Sequence, residues 1–361
     1  MNLPIAGMPR FFVVLALILP TFVWASEPKA EGEKSEGFNV TELLLHHVLD
    51  SHDWHIVDIP TGGGNYLTVS VPLPWLLYDS EKGVQFFFLH GHGPAELNAS
   101  AAERGYKIDG HGHIKSASGA TVVDLSPTKT VLHIFMVSIA ILLIFTRIAK
   151  AYKSAPHRAP KGAQSFFEPL IIFIRDEVAK PNLHGKHEPF VPYLLTLFFF
   201  IWFANIFGIT PLNSNIAGNI SVAAALAVLT FFLIQFNGTK DYWGHIFWFP
   251  GVPVPLKFLM MVVEIVGLLT KPVALAIRLF ANISAGHFMV LALISLIFLL
   301  GKQGQSLGGA LGILPLSLAF SLFILTLEVL VAIVQAYIFT LLTAVFIGQA
   351  MESHDHAEAH H

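Results

Sequence analysis

An arginine, Arg278, stands in the middle of a long apolar segment, in the run KPVALAIRLFANISAGH over residues 271–287. A charge near the bilayer centre costs roughly 2.5 to 3.5 kcal/mol on insertion scales, so it is normally kept for a task and turned toward protein or water. Asn282 follows one helical turn later on the same face, whereas His287, nine residues from Arg278, points to nearly the opposite side. One helix therefore offers two polar surfaces. The alternative to a functional arginine is a structural ion pair between helices.

A second polar set lies in the last apolar segment, where Glu328 and Gln335 are seven residues apart and stack on one face of a helix. Burial and pairing can bring the proton affinity of a carboxylate or an imidazole near neutral pH, as a proton relay requires. Arg278 stays protonated at any relevant pH, so it cannot itself carry the proton. These residue types therefore suit a proton relay beside a fixed positive charge.

The two segments that carry these residues are too long for ordinary membrane spans. Residues 258–300 and 311–350 would measure about 65 and 60 Å as helices, whereas the hydrocarbon core is about 30 Å thick. A break at Lys271-Pro272 would leave a first piece too short to span. We therefore expect two continuous, strongly tilted helices joined by a Gly-rich turn.

Both segments resemble one family. The sequence RLFANISAGH resembles the arginine-bearing helix of subunit a of the F-type ATP synthase, and TLEVLVAIVQAYIFTLLTAVFI resembles its final helix. In the familiar bacterial pattern the residue after the glycine is Glu and the last helix carries His, whereas here His287 and Glu328 occupy those places. The exchange keeps one imidazole and one carboxylate facing the same space. The resemblance covers most of the chain from about Phe38, except a stretch near 80–125.

The resemblance implies a proton-conducting stator subunit whose tilted helix hairpin lies against a ring of subunit c. Arg278 would keep the ring carboxylate ionised as it passes and block leakage between two offset half-channels. Glu264 matches a carboxylate of the cytoplasmic half-channel, and His287 and Glu328 lie toward the outer side. The pathway thus comprises Glu264, Arg278, Asn282, His287, Glu328 and Gln335. The implied partners are the c ring, the peripheral stalk subunit b, the rest of the synthase and membrane lipids.

Other functions stay open on the residues alone. Sodium coupling is an alternative, because the ion is chosen largely by the partner ring, although a pair of His287 and Glu328 favours protons. A secondary transporter should show internal repeats, and the sequence has none that we recognise. An intramembrane metalloprotease would need HExxH or a similar pair, which the long segments lack. No GxxxxGK[ST] nucleotide motif occurs, so partner subunits would perform the phosphoryl chemistry.

The composition places the chain in the membrane class, with 54% hydrophobic and 12% charged residues, against about 25% charged in soluble domains. A net charge of -3 gives no sign of nucleic-acid binding, and the absence of cysteine excludes disulfides and thiolate chemistry. We predict an all-α polytopic membrane protein with a small extracytoplasmic N-terminal region that contains some β structure. We expect no cofactor and no metal.

The membrane domain is expected over residues 130–350, with five embedded helices over 131–148, 190–212, 216–236, 258–300 and 311–350. Basic residues cluster at the far end of the first span, which the positive-inside rule places in the cytoplasm. These residues are Arg147, Lys150, Lys153, Arg158 and Lys161. Residues 165–180 are predicted to form an amphipathic interfacial helix that opens with a capping box of Ser165 and Glu168. It would suit docking of a partner, although a plain surface helix is the alternative.

The two ends of the chain carry location signals. Residues 1–25 have a basic residue, a short apolar run and small residues near Ala25, which is typical of a cleaved signal peptide, with a retained anchor as the alternative. Residues 26–129 would then form the extracytoplasmic region, in which we expect a helix near 38–50 and a strand hairpin or two. The His-rich tail, 351–361, would be cytoplasmic. We predict a multi-pass protein of the bacterial inner membrane.

Two histidine pairs stand in the extracytoplasmic region, His90 with His92 and His111 with His113. The spacing places both members of a pair on one face of a strand, and four imidazoles could hold a zinc or copper ion. No carboxylate pattern lies nearby, so we interpret them as polar residues flanking turns rather than as metal ligands.

Overall fold

The structure is a computed structural model of the chain. It describes residues 53–62, 65–89, 94–109, 114–154, 159–183, 185–210, 216–248, 253–300 and 307–352. Several predicted features lie outside the described residues. They are the signal peptide 1–25, the helix near 38–50, the four histidines His90, His92, His111 and His113, and the tail after 352.

The described chain is mainly helical, with a small β region (residues 53–125) before the first long helix. The strands are β1 Asp53–Gly62, β2 Asn65–Pro72, β3 Pro74–Asp79, β4 Gly83–Phe88, β5 Tyr106–Ile108, β6 Ile114–Ser116 and β7 Val122–Asp124. The helices are α1 Pro94–Ala102, α2 Lys129–Ser154, α3 Ala163–Phe173, α4 Lys180–Asn182, α5 Val191–Ile209, α6 Ile220–Phe236, α7 Lys240–Phe247, α8 Val254–Leu300 and α9 Leu307–Met351. A π-helical turn, Ile174–Ala179, joins α3 to α4.

Four of the described helices are long and apolar enough to cross a membrane, namely α2, α5, α8 and α9. Helices α6 and α7, bent by 104° at their junction, would make a fifth if the pair counts as one span. The predicted fold class is therefore confirmed.

The helix hairpin α8–α9 dominates the membrane part. Helix α8 has 47 residues and α9 has 45, which at 1.5 Å per residue is about 70 Å each, more than twice the hydrocarbon thickness. Pro272 removes one backbone donor but lies inside a continuous α8, so no break occurs at that point. The helices run antiparallel, because Lys271 Nζ donates to Gln349 Oε1 (3.3 Å) and Ser317 Oγ donates to the carbonyl of Leu293.

An aromatic cluster fixes the amphipathic helix α3 against the long helices. The Phe167 ring lies 5.4 Å from Phe145 of α2 and 5.8 Å from Phe199 of α5, measured between centroids. Ile171 and Val178, farther along the same face, are buried. The predicted apolar face of this segment is thus covered by other helices of the chain.

The predicted capping box of this helix is wrong. The residue before α3 is Gly162 at φ 59°, and no side chain caps the helix. The Glu168 carboxylate accepts a 2.7 Å hydrogen bond from the Tyr152 hydroxyl at the end of α2 instead, so it cannot reach back to its own first turn. Farther on, the Arg175 guanidinium bonds Asp176 through two nitrogens and lowers the pKa of that carboxyl.

The end of α9 is held by two close contacts. Thr239, whose hydroxyl caps α7 by accepting from Tyr242 N (3.2 Å), donates its own backbone N–H to the carbonyl of Ala350 (2.9 Å). This bond satisfies one of the carbonyls that a helix end leaves open. A methyl group at Gly348 would collide with the carbonyl of Asn182, so α9 and α4 touch backbone to backbone.

The β region has its own small core. Strands β4, β3 and β7 form a three-stranded sheet, and one face of it packs on α1 and β5 around Trp75, Leu77 and Phe87. Below this core the buried Asp79 accepts bonds from Glu81 N (2.9 Å) and the Tyr106 hydroxyl (3.1 Å), which lower its pKa. Burial and the Asp79 contact raise the pKa of Tyr106 to about 12. Strands β1 and β2 pair separately as a hairpin.

Candidate functional site

Arg278 lies on the exposed side of α8. Within the described residues its guanidinium makes no hydrogen bond and no ion pair. Its neighbours Val273 and Ile277 are each 54% exposed, so the charge stands in an apolar surface. Among the described residues, Arg278 therefore has no partner with which it could form a structural ion pair.

The hairpin that carries Arg278 is the least covered part of the bundle. In the 18-residue apolar stretch of α5, 72% is buried within the chain. The corresponding share is 6% in α8 and 11% in α9. Such large apolar surfaces must meet lipid or another chain. Arg278 therefore faces a membrane or a partner surface, and a charge there calls for an opposite charge outside this chain.

Asn282, one turn beyond Arg278, ties the two long helices together. Its Nδ2 donates to Gln335 Oε1 at 2.7 Å. Gln335 is only 2% exposed, and its own Nε2 has no partner among the described residues. A buried amide donor with an open valence is costly unless water or a partner satisfies it. The pair is thus a polar link beside Arg278.

Glu328 of α9 contacts α8 at Gly286, one helical turn beyond Asn282. Its side chain lies against the Cα of Gly286, where an added methyl group would come within 2.9 Å of Glu328 Cγ. Only a glycine permits this approach of the carboxylate to α8. His287 is the next residue of α8, and its side chain lies outside the described part of the structure.

A cavity of about 200 Å³ opens between α5, α8 and α9 at this level, with Asn205, Asn282, Gly286 and Glu328 in its wall. This volume accommodates several water molecules. Asn205 donates through Nδ2 to the carbonyl of Ala332 (3.3 Å), and its buried Oδ1 has no partner in the described residues. Asn205 was not among the site residues predicted from the sequence, although a single amide within an otherwise apolar span is a signal for a functional site.

A second polar cluster lies toward the other end of the hairpin. Lys271 bonds Gln349, and the Tyr242 hydroxyl lies 3.5 Å from the amide of Gln235. A cavity of about 10 Å³ lies beside Lys271 and Tyr242, the space of about one water. Glu264 is half-buried on the same part of α8 and interacts electrostatically with both Lys271 and Tyr242.

Apolar packing separates the two clusters. Lys271 and Asn282 are eleven residues apart on α8, which is about 16 Å of helix. Between them on α8 lies Leu279, which is fully buried in the same hydrophobic core as Ala336 and Phe339 of α9. The described residues thus hold two polar clusters that do not join inside the chain, with Arg278 on the exposed side between them.

These features define a polytopic membrane protein in which a charged helix hairpin borders two separate cavities, each with a few polar side chains in an otherwise apolar wall. Residues 131–348, more than half of the chain, match the family model described as ATP synthase A chain. The chain therefore belongs to the ATP synthase A chain family, subunit a of the F-type ATP synthase, and the predicted resemblance is confirmed.

Individual relatives agree. The ATP synthase subunit a of Anaeromyxobacter sp. (strain Fw109-5) is 42% identical over 350 residues, which cover 93% of this chain and 77% of the relative. The ATP synthase subunit a of Chlorobium phaeobacteroides (strain DSM 266 / SMG 266 / 2430) is 42% identical over 249 residues, covering 66% of this chain and 70% of the relative. Residues 43–133 match a second family model, a domain of unknown function (DUF8433).

Proposed function

We propose that this chain conducts protons between the two sides of a membrane and the c ring of an F-type ATP synthase, so that proton flow drives rotation and ATP synthesis. Family membership supports an ion-translocating membrane subunit that works with the ring. The observation that carries the finer proposal is Arg278, which is exposed, has no partner among the described residues and lies between two polar clusters.

The role of Arg278 follows from its position and its chemistry. A guanidinium remains charged throughout the physiological range and is only weakly hydrated, so it tolerates an interface. An opposite charge within about 4 to 6 Å lowers the pKa of a facing carboxyl by roughly 1 to 3. A ring carboxyl that reaches Arg278 therefore loses its proton on one side and regains one only after moving past. The same charge repels a proton that would cross directly between the clusters.

The outer half-channel is the cavity beside Glu328. Water in this cavity can bring a proton to the carboxylate, and Asn205 and Asn282 supply amide groups that hold such water in place. His287 is the residue after Gly286 in the sequence and would take up or pass on the proton. The link between Asn282 and Gln335 keeps α8 and α9 in the register that aligns these groups.

The inner half-channel is the cluster around Lys271 and Tyr242, with Glu264 as its titratable carboxylate. A proton that leaves the ring beyond Arg278 would exit there. Each proton that crosses about 150 mV releases roughly 3.5 kcal/mol, and several such steps summed by rotation suffice to drive one ATP synthesis.

The orientation follows from charge. The basic residues in the last turns of α2 and just beyond it support a cytoplasmic C-terminal end for that helix, which would put the β region outside and the tail 351–361 inside a bacterial inner membrane. The signal peptide predicted at 1–25 would fit an outer N-terminus. Helix α3 keeps Phe166 59% exposed and Phe173 40% exposed, an apolar surface that fits the peripheral stalk subunit b.

ATP-driven ion uptake by inverted membrane vesicles tests whether the transported ion is the proton or sodium. We expect acidification of the vesicle interior, reported by a pH-sensitive dye, that proceeds without sodium and disappears on addition of a protonophore. Uptake of radioactive sodium that continues in the presence of the protonophore would instead establish the sodium-coupled alternative. The titratable pair of His287 and Glu328 favours protons, although the ion is chosen largely by the partner ring.

Exchange of the titratable pair tests the relay. His287→Glu and Glu328→His each place two like groups together, which repel when charged, and each should slow pumping. The double exchange restores one imidazole and one carboxylate, so it should pump better than at least one single variant, a non-additivity expected of residues in one network. Strictly additive losses would mean that the two residues do not share a pathway.

A further inference from the structure

The three-stranded sheet of the β region has a second face that nothing in the described chain covers. Strand pairing places Leu76 opposite Phe86 and Tyr78 opposite both Val84 and Val123. The exposed side chains on this face, here called the apolar sheet face, are Tyr78, Val84, Phe86, Phe88, Val123 and Leu125, with exposures of 41–67%. Its remaining positions, Pro74 and Leu76, are also apolar, so the face carries no charge.

This face is unusual for a small antiparallel sheet. Such a sheet normally buries one face and turns polar side chains to water on the other. Here Trp75 and Leu77 already fill a core on one side, and the opposite side is apolar as well. With aromatic side chains of about 150 to 250 Å² each, the open apolar area is on the order of 500 Å². A patch of this size marks an interaction surface.

The sheet is fixed close to the start of the membrane span α2. Leu125 N donates to the carbonyl of Leu76 (2.8 Å), and Leu76 N donates to Ser126 Oγ (3.0 Å), so the edge of the sheet continues to Ser126. Helix α2 begins only three residues later, at Lys129, whose side chain is buried in the first turn. The sheet therefore cannot move far from the point at which α2 enters the bilayer.

Helix α2 carries an exposed apolar stripe that begins close to the start of the helix. Phe135, Ile139 and Leu143 are 39%, 54% and 53% exposed and recur every four residues, so they lie on one side of the helix. Phe135 is six residues from the helix start, about 9 Å down the axis. The apolar sheet face and this stripe thus lie on either side of one helix terminus and are close to each other along the chain.

We propose that the apolar sheet face rests on the membrane surface and inserts its aromatic side chains into the interfacial region of the leaflet that α2 enters. Tyr and Phe are residues that suit this boundary, where one end of a ring is apolar and the other is wet. The lack of charge on the face removes the cost of burying an ion in lipid. The domain would thereby anchor the start of α2, whose other end meets α3 and α5.

Single cysteines in this cysteine-free chain test the proposal. Phe86→Cys and Val84→Cys place a thiol on the face, and Lys115→Cys, whose native side chain is 71% exposed on β6, is the matched control. Each is labelled with a bimane fluorophore in the intact ATP synthase, reconstituted in liposomes that contain lipids brominated near the head group. We expect brominated lipid to quench labels at 84 and 86 strongly and the label at 115 little, with iodide in the water giving the opposite order.

Two results would overturn the proposal. Labels at 84 and 86 that iodide quenches as fully as the label at 115 would show a face open to water. Labels shielded from both quenchers would show that protein covers the face, either the β1–β2 hairpin of the same chain or another chain. Because Phe86 and Val84 are 63% and 67% exposed, their replacement opens no cavity, and ATP-driven pumping confirms that each labelled complex is assembled.

Discussion

The contact between Gly286 and Glu328 gives a sharp test of the outer half-channel. A methyl group at position 286 would lie 2.9 Å from Glu328 Cγ and 3.0 Å from Cδ, and closer still to Oε1. Ordinary carbon contacts are about 3.5 to 4.0 Å, so Gly286→Ala requires a movement of about 0.5 to 1 Å. The glutamate side chain is flexible and the helix backbone is not, so the carboxylate moves and the helices stay.

Overpacking on this scale costs about 1 to 3 kcal/mol. If the whole cost falls on the present position of Glu328, the population of that position relative to its alternatives drops by roughly 5- to 150-fold. We therefore expect ATP-driven acidification of inverted vesicles to fall at least about fivefold. The amount of assembled synthase, measured by immunoblot of the purified complex, should stay unchanged.

Gly267→Ala is the matched control, because it makes the same substitution on the same helix where nothing lies within 4 Å of the added methyl group. There alanine brings only its better helix propensity, by about 1 kcal/mol, and pumping should match the unaltered protein. If Gly286→Ala pumps as well as Gly267→Ala at full assembly, the position of Glu328 does not matter for conduction, and the outer half-channel as described is wrong.

Three further changes are predicted. Asn282→Leu leaves the buried Gln335 oxygen without its donor and should destabilise the subunit by about 1 to 3 kcal/mol, seen as a lower melting temperature of the detergent-solubilised complex. Tyr106→Phe removes a hydrogen bond to the buried Asp79. Because folding raises the pKa of Tyr106 from 10.0 to about 12, this bond stabilises the β region fully below pH 10 and is lost as the pH rises through about 12. Protease resistance should therefore fall between pH 10 and 12 in the unaltered protein but not in the variant. Gly348→Ala drives a methyl group into the carbonyl that ends α4, which cannot yield as a side chain can, and should lower the amount of assembled subunit.

The sequence predicted the long helices because length and hydrophobicity are local properties. A continuous apolar run over 258–300 left no alternative to a helix that passes through Pro272, and the structure has that helix. The common face of Arg278 and Asn282 likewise followed from helical spacing alone, and both are exposed in the structure. Such features depend on the period of the helix and on the cost of an unsatisfied backbone in lipid.

The groups that come from a third element could not be predicted in this way. Asn205 reaches the cavity because α5 packs against α9, a tertiary contact that no local pattern encodes. The capping box failed for the same reason, since Tyr152 of another helix binds the Glu168 carboxylate. The approach of Gly286 to Glu328 depends on the register of α8 against α9, which cannot be predicted from the sequence of either helix.

Replacement of Arg278 tests whether its fixed charge is required for proton conduction. Arg278→Gln keeps a polar side chain of similar reach and removes the fixed charge, while Lys257→Gln, which removes a cation stacked 4.2 Å from the Trp248 ring at the start of the same helix, is the control. ATP-driven acidification of inverted vesicles should be abolished by Arg278→Gln and preserved by Lys257→Gln, at equal amounts of assembled complex. Normal coupled pumping by an assembled Arg278→Gln complex would show that proton conduction does not require the charge of Arg278.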